Sequence, residues 1–196
     1  SLKKSQIAEI AQLAEHHFVG VKCGIMDQYA CIFGLKNHAL KLDCRTLKYQ
    51  PQEIDLGEHK LVLIDSKVKH ELSSTEYNNR RDECDRAVAI MKNYDESINT
   101  LRDVSHDHLL KFGKHLDRVA YMRCKYVIME NERVEKASQA LNSKNLKLFG
   151  ELLNQSHKGL ADYYEVSCDE LNFLVNVSKE SGQVLGSRMM GGGFGG

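Results

Sequence analysis

The sequence predicts an α+β fold, and three observations carry that prediction. Two short runs near the amino terminus read as strands: His38–Asp43 by alternation, and Lys60–Asp65 as the continuous apolar run that buried strands carry. From Ser73 to Ser181 apolar residues recur at helical spacing in four or five segments. Ser181–Leu185 then reads as a turn into a short apolar strand ahead of a glycine-rich end. Strands, then helices, then a closing strand is the order of an α+β chain rather than of repeated βα units.

In chain order, Lys3 to Phe18 places Ile7, Ile10, Leu13, Ala14 and Phe18 at helical spacing, which predicts an amphipathic helix with that set inward. Gly20 and Gly24 bracket a connection, and Ile25–Phe33 restarts the helical pattern before Gly34. Pro51, the sole proline, is assigned to a loop between the two strands. Ser73 with Glu76 has capping-box form and opens a helix to about Lys92. Asp103–Ser105 caps a short helix towards Phe112. His115–Leu141 is a long helix with Val119, Met122, Tyr126, Met129, Val134, Ala137 and Leu141 inward. Ser143 caps a helix through Tyr164, and Ser167 with Glu170 forms a second capping box leading to about Ser181. A boundary is expected near Gly57–His59, giving units 1–58 and 59–196.

Bulk properties exclude several classes. Lys+Arg and Asp+Glu both number 27, and no sustained basic stretch suggests a nucleic-acid groove or a membrane surface. No apolar run approaches the roughly 20 residues of a membrane span, and Ser1–Lys4 opens straight into an amphipathic pattern without a signal peptide. The six cysteines lie far apart without C-x-x-C, the usage of a reduced, cytoplasmic protein whose thiols fill apolar faces.

The chemistry-bearing stretches are few. Six of the fourteen glycines fall in Gly186–Gly196, together with Arg188, two methionines and Phe194, which are not linker residues. Such density suits backbone that turns through positive φ or closely approaches something, and a strand running into a glycine loop presents N–H groups to an anion. In Cys23–Gln28, Gly24 precedes a helix whose first turn holds Asp27, where free N–H groups and the helix dipole favour a carboxylate. Glu15, His16 and His17 lie close together, but H-E-x-x-H spacing is absent and zinc is not predicted. A single carboxylate such as Glu15 suffices for magnesium, which keeps waters and phosphate oxygens as its other ligands. His106, His108 and His115 are assigned to a solvated face, and the basic clusters Lys67–His70 and Arg80–Arg81 either to a solvated face or to neutralising a phosphate. Common phosphate-loop, dinucleotide and nucleophile-elbow motifs are missing.

Taken together, these stretches resemble the galactokinase family, within the galactokinase–homoserine kinase–mevalonate kinase–phosphomevalonate kinase superfamily. The residues that carry the likeness are Ala14-Glu15-His16-x-Phe18, Cys23–Gln28, Leu42–Arg45, Val68–His70, Ser74-x-Glu76-Tyr77-Asn78-x-Arg80-Arg81, Met129-Glu130-Asn131-x-Arg133, Tyr164–Cys168 with Glu170-Leu171, and Gly186–Gly196. The glycine-rich end is similar to the family's third signature motif, whereas the first and second would lie before Ser1. The resemblance thus implies the latter part of a two-lobed small-molecule kinase: the end of the amino-terminal lobe plus most of the carboxy-terminal lobe, inactive and self-associating without the preceding segment.

The resemblance further implies ATP-dependent phosphorylation of galactose at its anomeric hydroxyl, with Mg²⁺. By that likeness Asp27 is the catalytic aspartate, Gly24 a backbone contact to the sugar, and Tyr77 a hydrogen-bonding partner of it. Gly191, Gly192 and Gly193 line the active-site floor towards ATP, and Glu15 holds the metal. Two alternatives stay open: a galactose- and ATP-binding regulator without turnover, and an N-acetylgalactosamine kinase. Cys23-Gly24-Ile25 favours the galactose branch over the latter.

Overall fold

The structure is a computed structural model that describes residues 2–68 and 73–195, leaving aside the side chains of Ser73 and Ser74. Helix α1 (Lys4–Ala14) runs into a π-helical turn, Glu15–Val19, which stops at Gly20 with φ 79°. There the amides of Gly20 and Val21 both donate to the Glu15 carbonyl, satisfying the helix end. Helix α2 (Met26–Phe33) packs against α1 through Ala8, Ile25 and Tyr29, with Phe33, Leu42 and Leu47 around them. Strands β1 (His38–Leu42) and β2 (Tyr49–Glu53) pair antiparallel with Leu40 opposite Pro51.

The rest is helical: α3 (Ser73–Lys92), α4 (His106–Phe112), α5 (Arg118–Asn142), α6 (Leu146–Asp162) and α7 (Asp169–Glu180). Short polar side chains start three of them. Ser105 accepts the His108 amide at 3.2 Å, Asp117 the Ala120 amide at 2.8 Å, and Asn145 the Leu148 amide at 3.0 Å. Ala87 and Met91 of α3, Leu109 of α4, and Ala120, Cys124 and Ile128 of α5 form the larger core. A second cluster joins Tyr126 and Leu160 to Val166 and Met189, so the glycine-rich end is anchored in apolar packing. The β1–β2 hairpin leans on α5: Ser138 Oγ donates to Gln52 Oε1 at 2.8 Å and Lys41 pairs with Glu135 at 2.5 Å.

Several sequence-based expectations are corrected. Pro51 lies inside β2 rather than in a loop; a two-stranded sheet has only edge strands, where a missing N–H is tolerated. Lys60–Asp65 is not a strand, because no described segment pairs with its backbone, and Leu61, Val62, Leu63 and Ile64 remain 60–79% exposed. The closing strand at Val184–Leu185 is absent as well. Gly182 turns the chain with φ 66°, and Leu185 and Gly186 then lie so close to Gly150 of α6 that a Cβ on either glycine would overlap backbone. Close approach to a helix takes the place of ladder bonds.

The apolar set of α1 does not face inward. Ile7, Ile10 and Leu13 are exposed, Phe18 is fully so, and α1 packs instead through its small residue Ala8. On α5, Tyr126 and Leu141 are buried as expected, but Val119 and Val134 are exposed while Arg123 and Arg133 are buried. Asn145, not Ser143, caps α6, and Cys168 takes the cap position of α7 while Ser167 donates to Asn172 Oδ1 at 2.7 Å. Arg80 is buried, so Arg80–Arg81 is not a uniformly solvated pair. All six cysteines are unpaired, with Cys84 and Cys124 in the core but Cys31 and Cys44 exposed. The Ser73 cap and the residues Lys69 and His70 lie outside the described residues.

Candidate active site

The connection between the π-helical turn and α2 carries Gly24 and leads to Asp27. Its Cys23 carbonyl is gripped from α1 by Gln12 Nε2 at 3.0 Å and from the turn by His16 Nε2 at 2.8 Å. Burial pushes the Cys23 thiol up, the Gln28 side chain opposes this, and the charges of Glu15 and Asp27 reinforce it. The charges of Glu15, half-buried, and Asp27, exposed, therefore both reach the Cys23 thiol. Among the described residues neither carboxylate is engaged in an ion pair.

Across from this connection, α3 presents Tyr77. Gly24, Tyr77, Gly191 and Gly192 line one cavity of about 260 Å³, closed by Arg80, Arg81, Leu160, Tyr164, Val166 and Phe194. Gly192 lies flat against the Tyr77 ring: a Cβ there would stand 3.5 Å from Tyr77 Cδ2. Gly193 does not line the cavity and packs underneath it. Its φ is 92°, and a Cβ would overlap the Val166 carbonyl oxygen, which also accepts the Phe194 amide at 2.6 Å. Asp27 sits one turn of chain beyond Gly24, outside the cavity-lining set.

An ionic cluster built on the buried Arg80 and Arg123 adjoins the cavity. Arg123, almost fully enclosed, donates to Glu83 at 2.8 Å, to the Tyr163 carbonyl at 2.5 Å and to Glu165 at 2.6 Å. Arg80 donates to the same Glu83 oxygen at 2.5 Å and to the Glu165 carbonyl at 3.1 Å. Burial alone would raise the Glu83 carboxyl, but the two guanidiniums outweigh it and hold it below the usual range. The cluster fixes Tyr163–Val166, with Glu165 in the left-handed region at φ 53°, and so fixes the Val166 carbonyl that seats Gly193 and Phe194. Burial also drives the neighbouring Tyr164 hydroxyl strongly up, so it is a neutral hydrogen-bonding group beside the cavity.

A second anchor comes from α6. The Ser187 amide donates to Asn154 Oδ1 at 3.1 Å, and the Met189 amide to His157 Nδ1 at 3.2 Å. His157 Nε2 therefore carries the ring proton and donates to Asn172 Oδ1 at 3.1 Å. Burial pushes the imidazole below its ordinary pKa of 6.5, with Lys179 and Arg188 acting the same way.

Of the residues singled out in the sequence, the structure brings Gly24, Tyr77, Gly191 and Gly192 to one cavity, sets Glu15 and Asp27 beside it, and places Gly193 behind it. Sequence reasoning missed Glu83, Arg123 and His157, and it quoted Asn78 and Glu165 within stretches of family likeness without giving either a role. Arg123 and Arg133, at helical spacing with Tyr126 and Ala137 on α5, are the signal that could have found a buried cluster.

Comparison with known proteins fits this arrangement. A family model described as the GHMP kinases N terminal domain matches residues 1–35, and one described as GHMP kinases C terminal matches residues 137–196. A galactokinase of Thermotoga neapolitana is 45% identical over 195 residues, covering 100% of this chain and 53% of the relative. A galactokinase of Thermotoga maritima is 42% identical over 196 residues, again with 53% of its length covered. The crystal structure of Lactococcus lactis galactokinase complexed with galactose superimposes with a TM-score of 0.95 at 34% identity, over 100% of this chain and 50% of that one. The chain spans about half the length of the relatives it matches. The chain is thus similar to GHMP kinases at both of its ends and to galactokinases over its whole length.

Proposed function

We propose that this chain carries a large part of the active site of an ATP-dependent kinase that phosphorylates galactose at the anomeric hydroxyl. The observation that carries this reading is the convergence of Gly24, Tyr77, Gly191 and Gly192 on one cavity, in a chain whose full length is similar to a galactose-complexed galactokinase. In this reading the Gly24 backbone and the Tyr77 hydroxyl hold the sugar. Asp27 then accepts the proton of the anomeric hydroxyl or turns that oxygen towards the γ-phosphate. Gly191, Gly192 and, from behind, Gly193 support the floor on the ATP side. Phosphoryl transfer is mostly positioning and charge neutralisation, so a rigidly seated glycine loop and one free carboxylate suit it.

The donor set fits magnesium. Glu15 and Asp27 are hard oxygen donors whose charges both reach the Cys23 thiol, neither engaged in an ion pair among the described residues, and Mg²⁺ needs only one or two protein carboxylates. Glu15 would hold the ion, which when bound neutralises charge on the phosphates. Six unpaired cysteines support a cytoplasmic setting. The exposed run Leu61–Ile64 and the apolar stripe of α1 support packing against further protein, with the preceding segment of the encoded protein as the proposed partner. Asp27→Asn in the full encoded protein tests the chemistry: sugar binding should persist while turnover falls by about 10²–10⁴-fold, the usual contribution of such a group. Near-unchanged turnover would remove Asp27 from that role.

A further inference from the structure

The Gly20–Gly24 connection, which follows the π-helical turn, brings Gly24 to the cavity and is held against α3. One side chain makes two of these contacts. Asn78, adjacent to Tyr77, donates from Nδ2 to the Gly20 carbonyl at 2.8 Å and accepts the Lys22 amide on Oδ1 at 2.8 Å. The carboxamide thereby stands in for a peptide group, pairing with residues i and i+2 of the connection as a strand neighbour would. Lys22 Nζ adds an ion pair to Asp82, one turn further along α3, at 2.6 Å. That pair is largely exposed on both sides and contributes little. From the opposite side, Gln12 and His16 hold the Cys23 carbonyl, so the connection is pinned between α1 and α3 immediately before Gly24.

We infer that Asn78 is a positioning residue: it sets Gly24 and Asp27 relative to Tyr77, and so sets the anomeric hydroxyl against its base. This rests on the kinase reading above. Asn78 itself does not line the cavity and acts through the Gly20 and Lys22 backbone. Aspartate cannot replace it, because it keeps the acceptor towards the Lys22 amide but turns the donor into a second acceptor facing the Gly20 carbonyl. Half-buried and on an otherwise intact helix, Asn78 can be changed without opening the core.

The test uses Asn78→Ala, the shape-conserving Asn78→Asp and the control Asp82→Ala in the full encoded protein. It reads amide hydrogen exchange and steady-state kinetics. In Asn78→Ala the Lys22 amide should exchange on the order of 10-fold faster or more, with acceleration confined to residues 20–27 and the α3–α5 core unchanged. Turnover should fall by roughly 10–100-fold in both Asn78 variants, the scale of a displacement of about 1 Å, while the KM for ATP moves less than about twofold. Asp82→Ala should leave both readouts at the wild-type level. Unchanged exchange at residues 20–27 overturns the clamp. Accelerated exchange with unchanged turnover overturns its role in positioning. Because exchange needs neither sugar nor nucleotide, an unmodified protein that fails to phosphorylate galactose would sink the kinase reading while the clamp is still decided.

Discussion

Replacing Gly193 and Gly182 separately by alanine isolates how the glycine-rich end is seated. Both have positive φ, 92° and 66°, which costs an L-residue about 1–2 kcal/mol. Nothing stands within 4 Å of a Cβ at Gly182, so that cost is the whole effect there. At Gly193 the Cβ would overlap the Val166 carbonyl oxygen and lie 2.8 Å from Val166 Cβ. Relieving the overlap means moving Val166, whose carbonyl accepts the Phe194 amide at 2.6 Å. Losing that bond adds about 1 kcal/mol and the overpacking about 1–3 kcal/mol. Gly193→Ala should therefore be less stable than Gly182→Ala by about 2–4 kcal/mol. At about 2–4 °C per kcal/mol for a chain of this size, this is roughly 10 °C in Tm. Calorimetry on the two variants measures it directly. Equal Tm values would mean that Val166 yields freely and that the loop is not seated as described.

Three further outcomes follow from the same geometry. Tyr77→Phe should raise the galactose KM by the loss of one hydrogen bond, about 0.5–1.5 kcal/mol, and unchanged KM would leave Tyr77 only its packing against Gly192. Glu15→Ala should shift the magnesium dependence of activity to higher concentration, and superimposable titrations would return Glu15 to the role of a helix-end residue. His157 gives a pH dependence. Its folded pKa is depressed by burial, so its contribution is complete above the unfolded value of 6.5 and is lost as pH falls through the folded value. Protonation turns Nδ1 into a donor and leaves the Met189 amide without its acceptor. The protection factor of the Met189 amide, which removes the pH dependence of intrinsic exchange, should therefore fall as pH drops below 6.5 more than that of the α5 core, and His157→Gln should flatten this response.

The helical half of the fold was legible because the 3.6-residue period runs along it and Ser105 marks one start, although the caps Asp117, Asn145 and Cys168 were not the ones expected. The strands were legible only where a partner lies close in sequence. His38–Leu42 has Tyr49–Glu53 seven residues away, whereas Lys60–Asp65 has the composition of a strand and no described partner. Burial misled at α1, whose periodic stripe marks a face that this chain does not cover, and at α5, where Arg123 and Arg133 go inside in place of Val119 and Val134. A charge goes inside when tertiary structure supplies its partners, and Glu83 and Glu165 lie about 40 residues from Arg123 in either direction. Of the candidate site, the residues in recognisable stretches were legible. The supporting roles were not, even for Asn78 inside such a stretch, because Asn78 and His157 act on backbone groups that no periodicity reveals.

We propose that the Gly24–Tyr77–glycine-loop cavity holds galactose for phosphorylation at its anomeric oxygen. The most direct measurement of this is ³¹P NMR of the full encoded protein with ATP, Mg²⁺ and galactose. A sugar 1-phosphate resonance that grows as ATP is consumed, and fails to appear in Asp27→Asn, is the expected result. ATP consumption independent of galactose, or phosphate on any other hydroxyl, would contradict it.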